Sequence, residues 1–168
     1  MTQAGAPEVW LRPLITQADR ALLERWACRP HIVQWWGPAD ESLAELRRTP
    51  RQGGEALIVA GERPVGYLRW QVPEREDLEE AGLGDLAEGV VDIDIGIGEP
   101  DWLGRGIGSR ALALLVERLR EELDPPMFMM CTSVWNARAQ GAFQRAGFRR
   151  ERMFDDPVFG PMWLFLLP

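Results

Sequence analysis

The stretch VVDIDIGIGEPDWLGRGIGSRALALLVERLRE, residues 90–121, most constrains what this chain can fold into. Val91, Ile93, Ile95 and Ile97 alternate with Asp92, Asp94, Gly96 and Gly98. A period of two predicts a half-buried strand, apolar on one face, with two carboxylates and then two glycines on the other. The glycine-rich run Gly104-Arg105-Gly106-Ile107-Gly108-Ser109 follows. Beyond it Leu112, Leu115, Val116, Leu119 and Leu123 fall on one helical stripe,. A strand, a glycine-rich turn and a helix N-terminus in succession make an anion site. Unpaired backbone N–H groups and the helix dipole attract a phosphate, and glycine lets it approach the backbone. Arg105 adds a charge-assisted contact. Residues 104–109 therefore read as a phosphate cradle, with a plain surface turn as the bland alternative.

Two familiar cradles are excluded. A Walker loop needs Gly-Lys-Ser/Thr, and the chain has no lysine,. A dinucleotide fingerprint needs Gly-x-Gly-x-x-Gly, but its last glycine falls on Ser109 or Ala111, depending on where the count starts,.

With 168 residues, one domain is expected, 8–168, behind a loose tail at 1–7,. The net charge of −7 and a basic complement made only of arginine disfavour nucleic acid,. No run of 18 apolar residues and no signal-peptide pattern are seen, so a cytoplasmic protein away from membranes is expected,. Cys28 and Cys131 read as reduced thiols,. With a single histidine, His31, no metal site is expected,. The segment from Glu74 to Asp101 carries many acids against Arg75 alone, which suits a cationic ligand or only a solvated loop,.

Along the chain, strands are predicted at Val9–Leu14, Glu55–Ala60, Pro64–Val72, Met127–Ser133, Phe148–Asp155 and Pro161–Leu167, with helices at Gln17–Ala27, Glu41–Arg48 and from Asn136 to Ala146,. Thr16 and Asn136 are predicted N-caps,. Residues 73–89 read as an acidic loop, with a helical turn at Asp77–Leu86 as the alternative that Gly82 and Gly84 argue against. Of the adjacent Trp35 and Trp36, one packs in the core or rim and the other covers a ligand pocket,. The apolar run Trp163–Leu167 fits either a core strand or a dimer edge, so a monomer and a homodimer both remain open. The order is mixed α/β with a central sheet.

Two motifs in this order resemble the Gcn5-related N-acetyltransferases (GNAT). Gly106 and Gly108 match the glycines of that family's Gln/Arg-x-x-Gly-x-Gly/Ala pyrophosphate loop, although Leu103 stands at its first position. Asn136, Ala139, Gly147 and Phe148 match its Asn-x-x-Ala-x-x-x-Tyr-x-x-x-Gly-Phe pattern, with Phe143 at the tyrosine position. Within the family, His31-Ile32-Val33-Gln34-Trp35-Trp36-Gly37 and Asp94 resemble the aminoglycoside 6'-N-acetyltransferases.

The resemblance implies a GNAT acyl-CoA N-acyltransferase fold with about seven strands and flanking helices. It implies that the strands ending at Ile97 and Ser133 splay apart. Acetyl-CoA would lie in the gap against backbone groups of Ile95 and Ile97, the 104–109 loop, Asn136, Ala139 and Phe143. A bulge near Asp94–Gly96 would aim an N–H at the thioester carbonyl. The acceptor would be a small polycationic amine. Asp94 would bind it and take its proton, with Asp92, about 7 Å along the strand, Trp36, Asp155 and Asp156 around it. Phe143 cannot protonate the leaving thiolate, which leaves water, Ser133 or Cys131. The alternatives are another amine or a protein N-terminus as acceptor, or a non-catalytic module that holds CoA or a cation. A hydroxamate-forming acyltransferase would need a strand-borne histidine that is missing here.

Overall fold

The structure is a computed structural model that describes residues 6–14 and 16–168. Its frame is one seven-stranded sheet in the order β1-β2-β3-β4-β5-β7-β6. The strands are β1 Val9–Pro13, β2 Gly54–Ala60, β3 Arg63–Gln71, β4 Val91–Ile97, β5 Phe128–Ser133, β6 Arg149–Asp156 and β7 Gly160–Leu167. Every neighbouring pair is antiparallel except β4–β5, which is parallel and bridged by a helix. The helices are α1 Gln17–Ala27, α2 Pro30–Trp36, α3 Ala39–Leu46, α4 Arg75–Glu80, α5 Ile107–Leu123 and α6 Ala137–Arg145, with a short 3-10 turn at Pro100–Trp102.

The two sheet faces have different covers. On one, Ile58, Leu68, Val91 and Ile93 pack against Leu112, Leu115 and Leu119 of α5 and Phe143 of α6. On the other, Leu57 and Tyr67 pack against Leu23 and Trp26 of α1 and Leu46 of α3. The alternation in β4 therefore does what its sequence predicts. Its isoleucines join the α5 core, and Asp92 and Asp94 share the face that carries α1 and α3.

Caps set where the helices begin. The Thr16 hydroxyl accepts the Asp19 N–H at 3.0 Å, and the Asp19 carboxylate accepts the Thr16 N–H at 3.0 Å, a reciprocal capping box,. Thr16→Ala is expected to lose about 1 kcal/mol, lowering Tm by roughly 2–4 °C in a chain of this size, as thermal unfolding will read.

Two short helices were not predicted. α2 begins at Pro30, where the fixed φ of proline suits the first helical turn, and ends at Gly37 with φ 83°,. α4 lies inside the expected acidic loop. Leu78 anchors it against Leu83, Leu86, Met129 and Leu164, and Arg75 bonds the carbonyls of Gly84 and Leu86. The run Trp163–Leu167 lies in β7, between β5 and β6, with Leu164 and Phe165 fully buried, so it is a core strand. Of the tail expected over 1–7, residues 1–5 lie outside the described residues, and the Pro7 carbonyl accepts a bond from Arg110 at 2.9 Å.

Candidate functional site

The site begins where two parallel strands part. β4 and β5 pair only at Val91–Phe128 and Asp92–Met129, and beyond that point they diverge. Along β4, the Gly98 N–H bonds toward β3 and the Val91 N–H toward the β5 side. By alternation, Ile93, Ile95 and Ile97 present their backbone groups to the gap. His31 Nε2 lies 2.8 Å from the Ile97 carbonyl oxygen, so the imidazole N–H already holds that group. Ile95 is left as the free edge residue of the expected pair. The β3–β4 ladder runs in continuous register from Gln71–Asp92 to Gly66–Ile97, so the bulge expected at Asp94–Gly96 is absent. A register shift lies instead in the β2–β3 ladder between Ile58 and Val59.

Gly96 of β4 and Gly98, the residue just past its end, have a packing reason. A Cβ on Gly98 would fall 2.0 Å from the Trp26 ring, and one on Gly96 would fall 3.2 Å from the Trp36 ring. Glycine here lets α1 and α2 close over the sheet and bring Trp36 to the cleft. Trp36 packs 6.4 Å from the Tyr67 ring, and both it and Trp35 line the gap.

Three adjoining cavities run through the gap. The first, about 390 Å³, lies between Ile95, Gly96, Ile97 and Gly108 on one wall and Asn136, Ala139 and Phe143 on the other. The second, about 430 Å³, shares Trp36, Ile95, Asn136 and Phe143 with it and extends to Asp94, Arg69, Cys131 and Ser133. The third, about 640 Å³, opens beyond Asp94 onto Asp92, Asp156, Glu45 and Asp77.

At the first cavity, Gly106 caps α5 in the left-handed region at φ 71°, and Gly104, two residues upstream, has the same φ. These are the two loop positions where glycine relieves backbone strain. Gly108 has its space filled only to ordinary contact, with Ile95 at 3.6 Å. Arg110 bonds the carbonyls of Gly106 and Arg105 and fixes the loop from behind, while the Ser109 hydroxyl donates to the Gly106 carbonyl. Arg105 is exposed and lies 5.1 Å above the Trp102 ring. The Ile107 side chain is fully buried, so only its backbone N–H is available to an anion. Asn136 accepts the Ala139 N–H at 3.2 Å and so caps α6 beside the same cavity. Phe143 is 3% exposed, edge-on to Phe165 at 5.3 Å, with nothing to donate.

At the third cavity, Asp94 is solvent-accessible on the floor and accepts no side-chain hydrogen bond from the described residues. Protein surrounds it on most sides, and this loss of bulk hydration raises its pKa to about 6; Arg69 opposes the rise and Glu45 adds to it,. Asp92 is raised well above the usual carboxylate range by burial and by the Asp94 charge. Burial also pushes the Cys131 thiol up, with Asp92, Asp94 and Asp156 adding to it, so a thiolate is disfavoured there. Asp156 reaches the cleft, but its Oδ1 accepts the N–H groups of Val158 and Phe159 at 2.8 and 2.9 Å. Asp155 is exposed on the other side of β6 and lines none of these cavities, since neighbouring strand residues face opposite ways,.

The family model described as an acetyltransferase (GNAT) domain matches residues 16–156. The chain belongs to the GNAT acetyltransferases. The aminoglycoside N(6')-acetyltransferase type 1 of Klebsiella pneumoniae is 28% identical over 159 residues, covering 86% of this chain and 76% of that protein. A crystal structure of the aminoglycoside acetyltransferase AAC(6')-Ib with coenzyme A and kanamycin superposes with a TM-score of 0.75 at 26% identity, covering 95% and 94% of the two chains. One with ribostamycin and coenzyme A gives a TM-score of 0.75 at 28% identity, covering 95% and 92%.

Those neighbouring structures hold coenzyme A; in this chain the parted strands and the α5 N-terminus lie at one end of the gap and the acids at the other. The residues fit that cosubstrate. Gly106 leaves its loop free of side-chain bulk, the 17-residue α5 directs its first N–H groups outward, and Ile95 offers an open strand edge,. Glu45, Arg69, Phe159 and Met162 also line the third cavity and were not anticipated. Arg69 alone left a trace in the sequence, as a charge inside the apolar run of β3. No helix among the described residues is long and apolar enough to cross a membrane.

Proposed function

We propose that this GNAT enzyme transfers acetyl to the 6'-amine of an aminoglycoside by direct attack, with Asp94 as the base, in the cytoplasm. The observation that carries this is Asp94 itself, an unpaired carboxylate at the point where the coenzyme gap meets the acidic cavity. The likeness to 6'-acetyltransferases supports the substrate class.

Acetyl-CoA, when bound, supplies the activated acetyl group as a thioester. The N–H groups at 107–109 and Arg105 would hold its pyrophosphate, and the Ile95 N–H would be the donor available to its carbonyl. Asp94 first attracts the acceptor ammonium and then takes one proton, freeing the nitrogen lone pair. The nitrogen–acyl bond forms as the carbon–sulfur bond breaks; the nitrogen then sheds its second proton, which replaces the one the thiolate takes from its donor, and the proton held by Asp94 is released to solvent. Phe143 supplies none, so the Ser133 hydroxyl, the Cys131 thiol and water are the donors in reach. Asp92 and the free oxygen of Asp156 hold further amines, and Trp36 covers a sugar ring. Asp155 takes no part.

A base with a pKa near 6 sets the pH dependence. Asp94 must be ionised to work, so kcat/KM is expected to fall about tenfold per unit as pH drops below about 6,. An acid limb near 4 in initial rates would contradict this. Mass spectrometry of an aminoglycoside incubated with enzyme and acetyl-CoA tests the reaction. A gain of one acetyl, placed on the 6' nitrogen by NMR, supports it, and an unmodified antibiotic overturns the substrate class.

A further inference from the structure

Three charged side chains line up across three strands on the acceptor face. Glu55 of β2 is in register with Arg69 of β3, and Arg69 is in register with Asp94 of β4. Residues directly opposite in adjacent strands share a face, so the row alternates carboxylate, guanidinium, carboxylate. Its outer end is closed by Arg20 of α1, which grips Glu55 with bonds of 2.8 and 3.3 Å. Tyr67 donates to the same carboxylate at 2.7 Å.

Arg69 is 3% exposed. Its Nη1 donates to Glu55 at 3.4 Å and its Nη2 to the Arg48 carbonyl at 2.7 Å, while its buried Nε has no partner. Glu55 is already matched by the two-bonded Arg20, so two guanidinium charges face one carboxylate and one positive charge is left over. A buried charge is costly unless another balances it. The unpaired carboxylate next along the row is Asp94.

We propose that Arg69, anchored by Glu55, is a positioning residue for Asp94, its fixed charge one strand away keeping that carboxylate ionised when the acceptor's ammonium arrives. The other groups facing Asp94 oppose this. Asp92 lies on its own strand, Glu45 on α3, Cys131 on β5 and Asp156 on β6. Farther out, Glu45 is paired with Arg48 and Glu74 with Arg51, so neither arginine is free to take over from Arg69. His31 of α2 is held at Ile97. A residue that only filled space here would stabilise the fold without moving the titration of Asp94.

The kinetic readout rests on Asp94 being the base, so a second readout follows the carboxylate directly. The kcat/KM profile against pH and the 13C carboxyl titration of Asp94, assigned by its loss in Asp94→Asn, are measured for wild type, Arg69→Gln, Arg69→Lys and Glu55→Gln. Arg69→Gln is expected to move the acid limb and the Asp94 titration up by about one pH unit, a tenfold rate loss near pH 5 with the alkaline plateau kept. Arg69→Lys restores both. Glu55→Gln, which frees more of the Arg69 charge, moves them down. An unmoved Asp94 titration in Arg69→Gln, with any rate loss equal at every pH, would overturn the proposal. If Arg69→Gln does not fold, an unmoved titration in Glu55→Gln overturns it equally. If the NMR titration shifts but the rate limb does not, the row stands and the base assignment fails.

Discussion

Asp94→Asn is expected to lower kcat/KM about 10²–10³-fold while leaving acetyl-CoA affinity nearly unchanged. That lies in the lower part of the roughly 10²–10⁴-fold that one positioned base contributes. The variant keeps the size of the side chain and sits beyond the first cavity, proposed for the coenzyme, so calorimetry with acetyl-CoA should match wild type. The same change should raise Tm at neutral pH. The folded pKa of Asp94 is about 6, above its ordinary 3.8, so the native state binds the proton more tightly than the unfolded chain. Native stability therefore falls as pH rises from about 4 to about 6 and stays lower above. An uncharged amide avoids that loss. A variant that is less active and more stable at pH 7, with the stability gain vanishing near pH 4, is the signature of a carboxylate kept for chemistry. Near-normal turnover in initial-rate assays would remove Asp94 from the mechanism.

Gly98→Ala, just past the end of β4, should damage the fold more than a methyl added at Gly96. The new Cβ would fall 2.0, 2.2 and 2.5 Å from Cδ2, Cγ and Cδ1 of Trp26. Trp26 cannot step aside. It is buried with Leu23, Leu57 and Tyr67, and its Nε1–H donates to Glu99 at 3.0 Å. Relief has to come from moving α1 off the sheet, at a cost of about 3 kcal/mol, the upper end for overpacking. The expected Tm drop is roughly 6–12 °C by calorimetry. A drop under about 2 °C would show that α1 is not seated on β4 in this way. Gly96→Ala, whose nearest Trp36 atom is 3.2 Å away, should be milder and act on the acceptor cleft.

The sequence was most legible where periodicity and caps agree. The alternation of β4, the stripe of α5, and Thr16 and Asn136 as caps all predict elements the structure contains. The parting of β4 from β5 followed from the family resemblance, and the short β4–β5 register bears it out. α2 and α4 escaped because helices of seven and six residues have too few turns to show a stripe, and tertiary packing holds them,. The His31 bond to Ile97 escaped because it joins residues far apart in the chain, and it takes one of the two backbone groups expected to meet the coenzyme. Asp155 and Asp156 looked equivalent in the sequence. Strand alternation sends only Asp156 into the cleft, and the turn that follows takes one of its oxygens. The row Glu55–Arg69–Asp94 needed register, which three separate strands specify only once they pair.

The most direct test is thiol release from acetyl-CoA, comparing an aminoglycoside with a 6'-amine against a close congener with a 6'-hydroxyl. Acetylation of the 6'-nitrogen with Asp94 as the base requires turnover with the amine, none with the hydroxyl, and loss of the amine rate in Asp94→Asn. Equal turnover with both would contradict it and move the acceptor nitrogen elsewhere on the sugar.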